Sequence, residues 1–313
     1  MLSENLSSFY PNIFILDGLP GFESAHIWLS IPVFIMYVIS LLGNSFLLTL
    51  IMMEKRLHSP MYYFLSALFL TDMLVSNSIA LKMLAIFWLN VKEITFFSCL
   101  VQMFFIHSFS SLESGILLVM AYDRYVAICT PLHYMTTLTH TFMVKIAIAF
   151  IIRETIIVTP CPVMASRLPY CQTNHISHSY CDHMAVVTLA CADITINSAY
   201  GLTVVLLVIM FDVSCITASY VLILKTVMKL PSRTAINKAF STCTSHICVF
   251  LIAYTLGLFS FMTYRVGHIA PYVHVIVSIF YLLIPPAINP IIYGVKTKEI
   301  RKAAYNLITI SIK

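Results

Sequence analysis

The chain reads as an all-α membrane protein: a seven-transmembrane helix bundle with a short amphipathic C-terminal helix. Three observations predict this. Sixty per cent of the 313 residues are hydrophobic and only 10% are charged, against about 45–50% and about 25% in soluble domains. Apolar runs of the roughly 20 residues needed to cross a bilayer recur seven times along the chain. The Lys and Arg residues between those runs fall mostly on one side.

The spans are read at about 27–53, 59–87, 98–129, 141–163, 197–228, 237–264 and 273–295. They leave no room for a soluble domain, so residues 1–313 form one unit. Helices are required because lipid cannot satisfy exposed backbone groups. Pro32, Pro160, Pro162, Pro285, Pro286 and Pro290 lie within spans and are expected to kink or end helices.

Orientation follows from the positive charges. With the N-terminus outside, the cytoplasmic ends hold Lys55, Arg56, Arg124, Lys145, Lys225, Lys229, Arg233, Lys238, Lys296, Lys298, Arg301, Lys302 and Lys313. The outer ends hold Lys82, Lys92, Arg153, Arg167 and Arg265. Asn5-Leu6-Ser7 is a glycosylation acceptor and agrees with an outer segment 1–26. That segment lacks a basic start and apolar core, so the first span is expected to serve as the membrane signal. In the cytoplasmic tail 296–313, Ile300, Ala303, Ala304, Leu307 and Ile308 form a stripe, which predicts a helix lying on the inner leaflet. The excess of 18 basic over 13 acidic residues is modest and does not point to nucleic acid.

Nine cysteines is an odd count. Cys99, Cys171, Cys181 and Cys191 fall outside, where disulfides belong, and allow three pairings. Three of them sit in a long loop, about 164–196, whose length suggests function. His178, Cys181, Asp182 and His183 have metal-ligand chemistry, but a disulfide at Cys181 would remove the thiolate, so no metal is assigned.

Charges inside spans are costly and mark function. Met120-Ala121-Tyr122-Asp123-Arg124-Tyr125-Val126-Ala127-Ile128-Cys129 places an acid beside an arginine at the inner end of the third span. Glu113 lies eleven residues earlier on the same face, roughly 16 Å away. Asp72 is buried mid-span. These two acids form either a cation or proton site or a network of protonated carboxyls. Met103, His107, Ser110, Ser111 and Ser114 share one face of the third span, and Tyr254, Leu258, Phe261 and Arg265 one face of the sixth. Arg265 alone reads as a residue snorkelling to water. No acid in the sixth span neutralises it. Arg153, Glu154 and Asp212 receive no role.

Further motifs extend along nearly the whole chain: Leu42-Gly43-Asn44, Pro60-Met61-Tyr62-Tyr63-Phe64-Leu65 with Thr71-Asp72, Ser179-Tyr180-Cys181, Lys238-Ala239-Phe240-Ser241-Thr242-Cys243-Thr244-Ser245-His246, and Pro285-Pro286-Ala287-Ile288-Asn289-Pro290-Ile291-Ile292-Tyr293. With Met120–Cys129, their order and spacing resemble the odorant receptors, a branch of the rhodopsin-like G-protein-coupled receptors. Ile106-His107-Ser108, Tyr264–His268 and Lys296–Arg301 resemble their fish-like class I subgroup.

The resemblance implies a plasma-membrane receptor, in olfactory cilia, that binds a small odorant in the outer half of the bundle and activates a stimulatory G protein, raising cAMP. It implies a Cys99–Cys181 bridge, leaving Cys171–Cys191. It implies a switch at Asp123, Arg124, Tyr125 and Tyr293, and a monovalent cation or proton site at Asp72, Glu113 and Asn289, with no other cofactor. For class I it implies a carboxylic-acid odorant held by His107 and Arg265, among Met103, Ser110, Ser111, Val205, Leu206, Tyr254, Leu258 and Phe261. Apolar walls would measure chain length at about 0.8 kcal/mol per buried methylene.

The chain departs from general rhodopsin-like receptors in two places. No Cys-Trp-x-Pro occurs in the sixth span, where Tyr254 stands in the tryptophan's place. The inner end of that span has no acid to hold Arg124, which leaves Asp123 as its restraint. A metabolite-sensing role outside the nose keeps the family and changes the tissue. A transporter is the rival from another class, but no internal repeat is visible. Enzyme motifs such as His-Glu-x-x-His and Gly-x-Ser-x-Gly are absent from the sequence.

Overall fold

The computed structural model describes residues 11–171, 173–229, 232–263 and 269–311. Strand β1 (Ile13–Leu16) precedes helices α1 (His26–Met53) and α2 (Pro60–Leu89). Strand β2 (Glu93–Thr95) leads into α3 (Phe96–Cys129), followed by α4 (Tyr134–Thr137), α5 (His140–Val158) and α6 (Pro160–Ser166). Strand β3 (His175–Ile176) and α7 (His183–Val187) lie in the long outer loop. Then come α8 (Thr195–Val227), α9 (Arg233–Thr263), α10 (Pro271–Lys296) and α11 (Lys298–Ser311).

Among the described residues, six helices are long and apolar enough to cross a membrane. The remaining position, fourth along the chain, is filled by α5 and α6. Lys145, Arg153 and Glu154 make it less apolar, and Pro160 divides it. Proline at a first helical turn is tolerated where the N–H would be unpaired anyway, so the second piece restarts there.

The other span prolines lie inside continuous helices: Pro32 in α1, and Pro285, Pro286 and Pro290 in α10. These prolines do not end their helices, and at Pro290 a neighbouring helix fills the freed position. Pro290 cannot donate to the carbonyl of Pro286, four residues earlier. Asn44 of α1 supplies the missing donor, its Nδ2 lying 2.9 Å from that oxygen. Gly43 permits the approach, since a Cβ there would sit 2.9 Å from Pro290 Cβ and Cγ. The Leu42-Gly43-Asn44 and Asn289-Pro290 motifs are thus two halves of one helix contact.

The outer face carries a three-stranded sheet of order β2-β1-β3. Strand β1 pairs antiparallel with β2 (Ile13 opposite Thr95) and parallel with β3 (Ile15 opposite His175). Phe14 and Leu16 are fully buried beneath it, and Asp17 pairs with His175 at 2.9 Å. The segment read as a plain outer extension is a central strand.

Disulfides Cys99–Cys181 and Cys171–Cys191 staple the loop. Gln102 reinforces the first, accepting from the Cys181 N–H at 3.1 Å and donating to the Ser78 carbonyl at 2.8 Å. His178, Ser179, Tyr180 and Cys181 are therefore buried within the bundle mouth. At the inner end, Ile300 and Ala303 of α11 join the core with Leu50, Leu57 and Tyr62, while Lys298, Arg301 and Lys302 face outward.

Candidate functional site

A cavity of about 210 Å³ lies in the outer half of the bundle between α3, α5, α6, α8, α9 and α10, under α7. One wall is apolar, with Ile157, Val158, Val204, Val205, Val208 and Ile209. A polar strip is formed by His107, Ser110, Ser111 and Ser114 on α3 and Tyr254 on α9. An apolar cavity with a few convergent polar groups is the usual form of a small-molecule site.

Of the residues expected to line a ligand site, His107, Ser110, Ser111, Val205, Tyr254 and Phe261 border this cavity. Three do not. Met103 is fully buried in the outer core with Cys99 and Cys181, because the disulfide draws the loop over it. Leu206 sits one position off the α8 face formed by Gly201, Val204, Val205 and Val208. Leu258 is 43% exposed on the outer surface of α9. The inward face of α9 runs through Tyr254, Gly257 and Phe261 instead. Gly257 enables that rotation: a Cβ on it would meet the Tyr281 ring at 2.9 Å. Arg265 and Asn5 lie outside the described residues.

Glu113 of α3, Asp182, His183 and Met184 of the loop, and Ser278, Tyr281 and Leu282 of α10 also border the cavity. Helical periodicity could not place the loop residues, since the loop has none. The one usable signal was that Asp182 and His183 directly follow the bridged Cys181.

From Ser114 and Tyr254 in the cavity wall a polar chain crosses four helices. Ser114 donates to Asp212 of α8, and with its proton spent there it accepts from the Tyr254 hydroxyl at 2.5 Å. Asp212 faces Arg153 Nη1 at 3.7 Å, and Arg153 Nη2 lies 2.6 Å from Glu154. The Arg153 guanidinium also stands 4.7 Å above the Phe150 ring. Gly115 admits that ring, since a Cβ would come within 2.7 Å of it. The three charges left without a role by sequence reading are thus tied into one network.

Deeper still, Asn289 Nδ2 donates to both oxygens of fully buried Asp72, at 3.1 and 3.0 Å. Glu113 is 8% exposed, and its Oε1 has no hydrogen-bond partner among the described residues. At the inner end Arg124 binds Asp123 through Nε at 2.9 Å and through Nη2. Tyr134 of α4 donates to the other Asp123 oxygen at 2.8 Å. Tyr293 is fully buried, its hydroxyl 3.2 Å from His246 Nδ1 and its ring against Phe69. Tyr125 contacts the cluster of Ile223, Val227 and Cys243 between α3, α8 and α9.

A membrane helix bundle with an outer cavity, buried polar networks and an acid–arginine pair at its inner end has the form of a membrane receptor for a small molecule. Comparison with known proteins names the family. A family model described as olfactory receptor matches residues 33–310. The chain is 49% identical to human olfactory receptor 52N2 over 304 residues, 96% of this chain and 95% of that protein. It is 51% identical to human olfactory receptor 52N5 over 296 residues (94% and 91%), and 49% identical to human olfactory receptor 52K1 over 308 (98% of each). The chain belongs to the olfactory receptor family, within class I. It is a multi-pass, G-protein-coupled receptor for small-molecule odorants and is not an enzyme.

Proposed function

We propose that the receptor detects a small carboxylic acid and signals through a stimulatory G protein, raising cAMP. The observation that carries this reading is His107: its Nε2 borders the cavity, sealed from solvent and without a hydrogen-bond partner among the described residues. Buried polar groups are almost always paired, so this one is positioned for a ligand oxygen. Arg265, two residues past the last residue of α9 in the sequence, supplies the cation. Its planar fork suits a carboxylate.

Binding draws the outer end of α9 inward, and Tyr254 passes the motion to Ser114 and Asp212. The inner end then opens, releasing Arg124 from Asp123 toward the G protein. Asp72, Glu113 and Asn289 fit a monovalent cation: two buried carboxylates converge there and Glu113 Oε1 is unpaired among the described residues. Such a cation would neutralise the acids at rest. The N-terminus is read as outside with Asn5 glycosylated, and the location as the ciliary membrane.

A cAMP reporter screen of short and medium carboxylic acids against their amides and methyl esters tests the reading. Responses confined to acids are the expected result. Equal responses to the neutral isosteres would overturn the carboxylate assignment.

A further inference from the structure

Three polar side chains climb one face of α3 where it borders the cavity: Ser114, Ser111 and His107. Residues four and three apart are stacked on a helix, so these are successive rungs, about 4.5 Å from Ser114 to Ser111 and about 6 Å from Ser111 to His107. The lowest is committed to the protein, since Ser114 donates to Asp212 and accepts from Tyr254. The upper two are not. His107 Nε2 and Ser111 Oγ are sealed from solvent without hydrogen-bond partners among the described residues.

Helical hydroxyls ordinarily turn back to the carbonyl four residues earlier. Ser66, Thr71, Ser78 and Ser219 do so here, at 2.7–3.0 Å. Ser108, Ser110 and Ser111 of α3 make no such bond; Ser108 is off the cavity lining and Ser110 is beside the Tyr281 hydroxyl, which leaves Ser111 as the one turned to the cavity in line with His107.

We propose that Ser111 is a second recognition point of the cavity, so that the preferred ligand bears a hydroxyl about five bonds from its carboxylate. This rests on the carboxylate reading above, which places the acid at the level of His107. Four residues of helix span about 6 Å, and an extended chain covers about 1.2 Å per bond. The hydroxyl therefore falls near carbon 6, and the ligand class is a medium-chain hydroxy acid. A site built to bond a hydroxyl discriminates against the analogue lacking it more strongly than a greasy pocket distinguishes one methylene.

The test uses the full-length receptor in reporter cells and two probe pairs, each differing by CH3 against OH: heptanoic acid with 6-hydroxyhexanoic acid, and heptan-1-ol with hexane-1,6-diol. Surface expression is measured for every variant. In the responding pair, the hydroxylated member is expected to be about tenfold more potent. Ser111→Ala should erase that preference and Ser111→Thr should keep it. Equal or better potency of heptanoic acid, or a preference that survives Ser111→Ala, overturns the proposal while leaving the carboxylate reading intact. A hydroxyl preference seen only in the alcohol pair, and lost in Ser111→Ala, overturns the carboxylate reading while leaving the role of Ser111 intact. Silence toward all four probes, with receptor at the surface, overturns both.

Discussion

Asn44 donates a hydrogen bond to the carbonyl oxygen of Pro286 at 2.9 Å, the acceptor that Pro290 leaves unfilled. The same Nδ2 also reaches the Ser40 carbonyl at 2.8 Å. Asn44→Ala is expected to cost about 1–3 kcal/mol, the penalty for orphaning a buried polar group. Gly43→Ala should also destabilise, by forcing Pro290 away. Thermal unfolding of the solubilised receptor measures both. An unchanged melting temperature in Asn44→Ala would show that α10 does not depend on this donor.

Asp123 holds Arg124 with one oxygen and accepts from Tyr134 with the other. From Arg233 to His246 the inner part of α9 carries no acid in its sequence, so α9 offers Arg124 no second carboxylate there. Asp123→Asn is expected to raise basal cAMP, and Tyr134→Phe to raise it less. Basal signalling normalised to surface expression checks this. No rise in Asp123→Asn would mean that other contacts keep the receptor silent.

The transmembrane frame was legible in the sequence because apolarity and charge bias are properties of long runs. The outer sheet was not, since Ile13–Leu16 is a short apolar run that gains strand character only from partners far along the chain, Glu93–Thr95 and His175–Ile176. At the cavity, periodicity found the face of α3, whose polar rungs are unambiguous. It misplaced Leu258 by one position, because the facing residue is Gly257, which has no side chain to announce itself. The Arg153–Asp212 contact joins residues 59 apart whose charges, seen singly, had no partner.

The relay from Tyr254 through Ser114 to Asp212 predicts coupled mutational effects. Tyr254→Phe and Asp212→Asn should each lower agonist potency. In a double-mutant cycle on the EC50 of an activating acid, their effects should fall short of additive by about 0.5–3 kcal/mol. Strict additivity would separate Tyr254 from Asp212.

His178 of the outer loop carries a pH signature. Ser278 donates to the His274 carbonyl at 2.6 Å, so His178 donates from Nε2 to Ser278 at 3.1 Å and accepts from the Tyr180 N–H at Nδ1. Both ring nitrogens are thus used in the neutral form. Burial, with a smaller push from His274, lowers its pKa to about 3. The unfolded chain takes up a proton near 6.5, the ordinary value for histidine, while the folded loop resists it until about 3. The loop's contribution to stability is therefore complete above 6.5 and falls as pH drops from there toward 3. Melting temperatures between pH 7.5 and 5 should decline, and less steeply in His178→Gln. Parallel declines would assign the acid sensitivity to another group.

Recognition of a carboxylate by Arg265 is tested most directly by Arg265→Gln. Concentration–response curves for an activating acid and for a neutral agonist of matched length should be measured at equal surface expression. The account predicts that potency toward the acid falls at least about tenfold, as expected for loss of a charge-assisted pair, while the neutral response is unchanged. An acid response that survives intact in Arg265→Gln would contradict it.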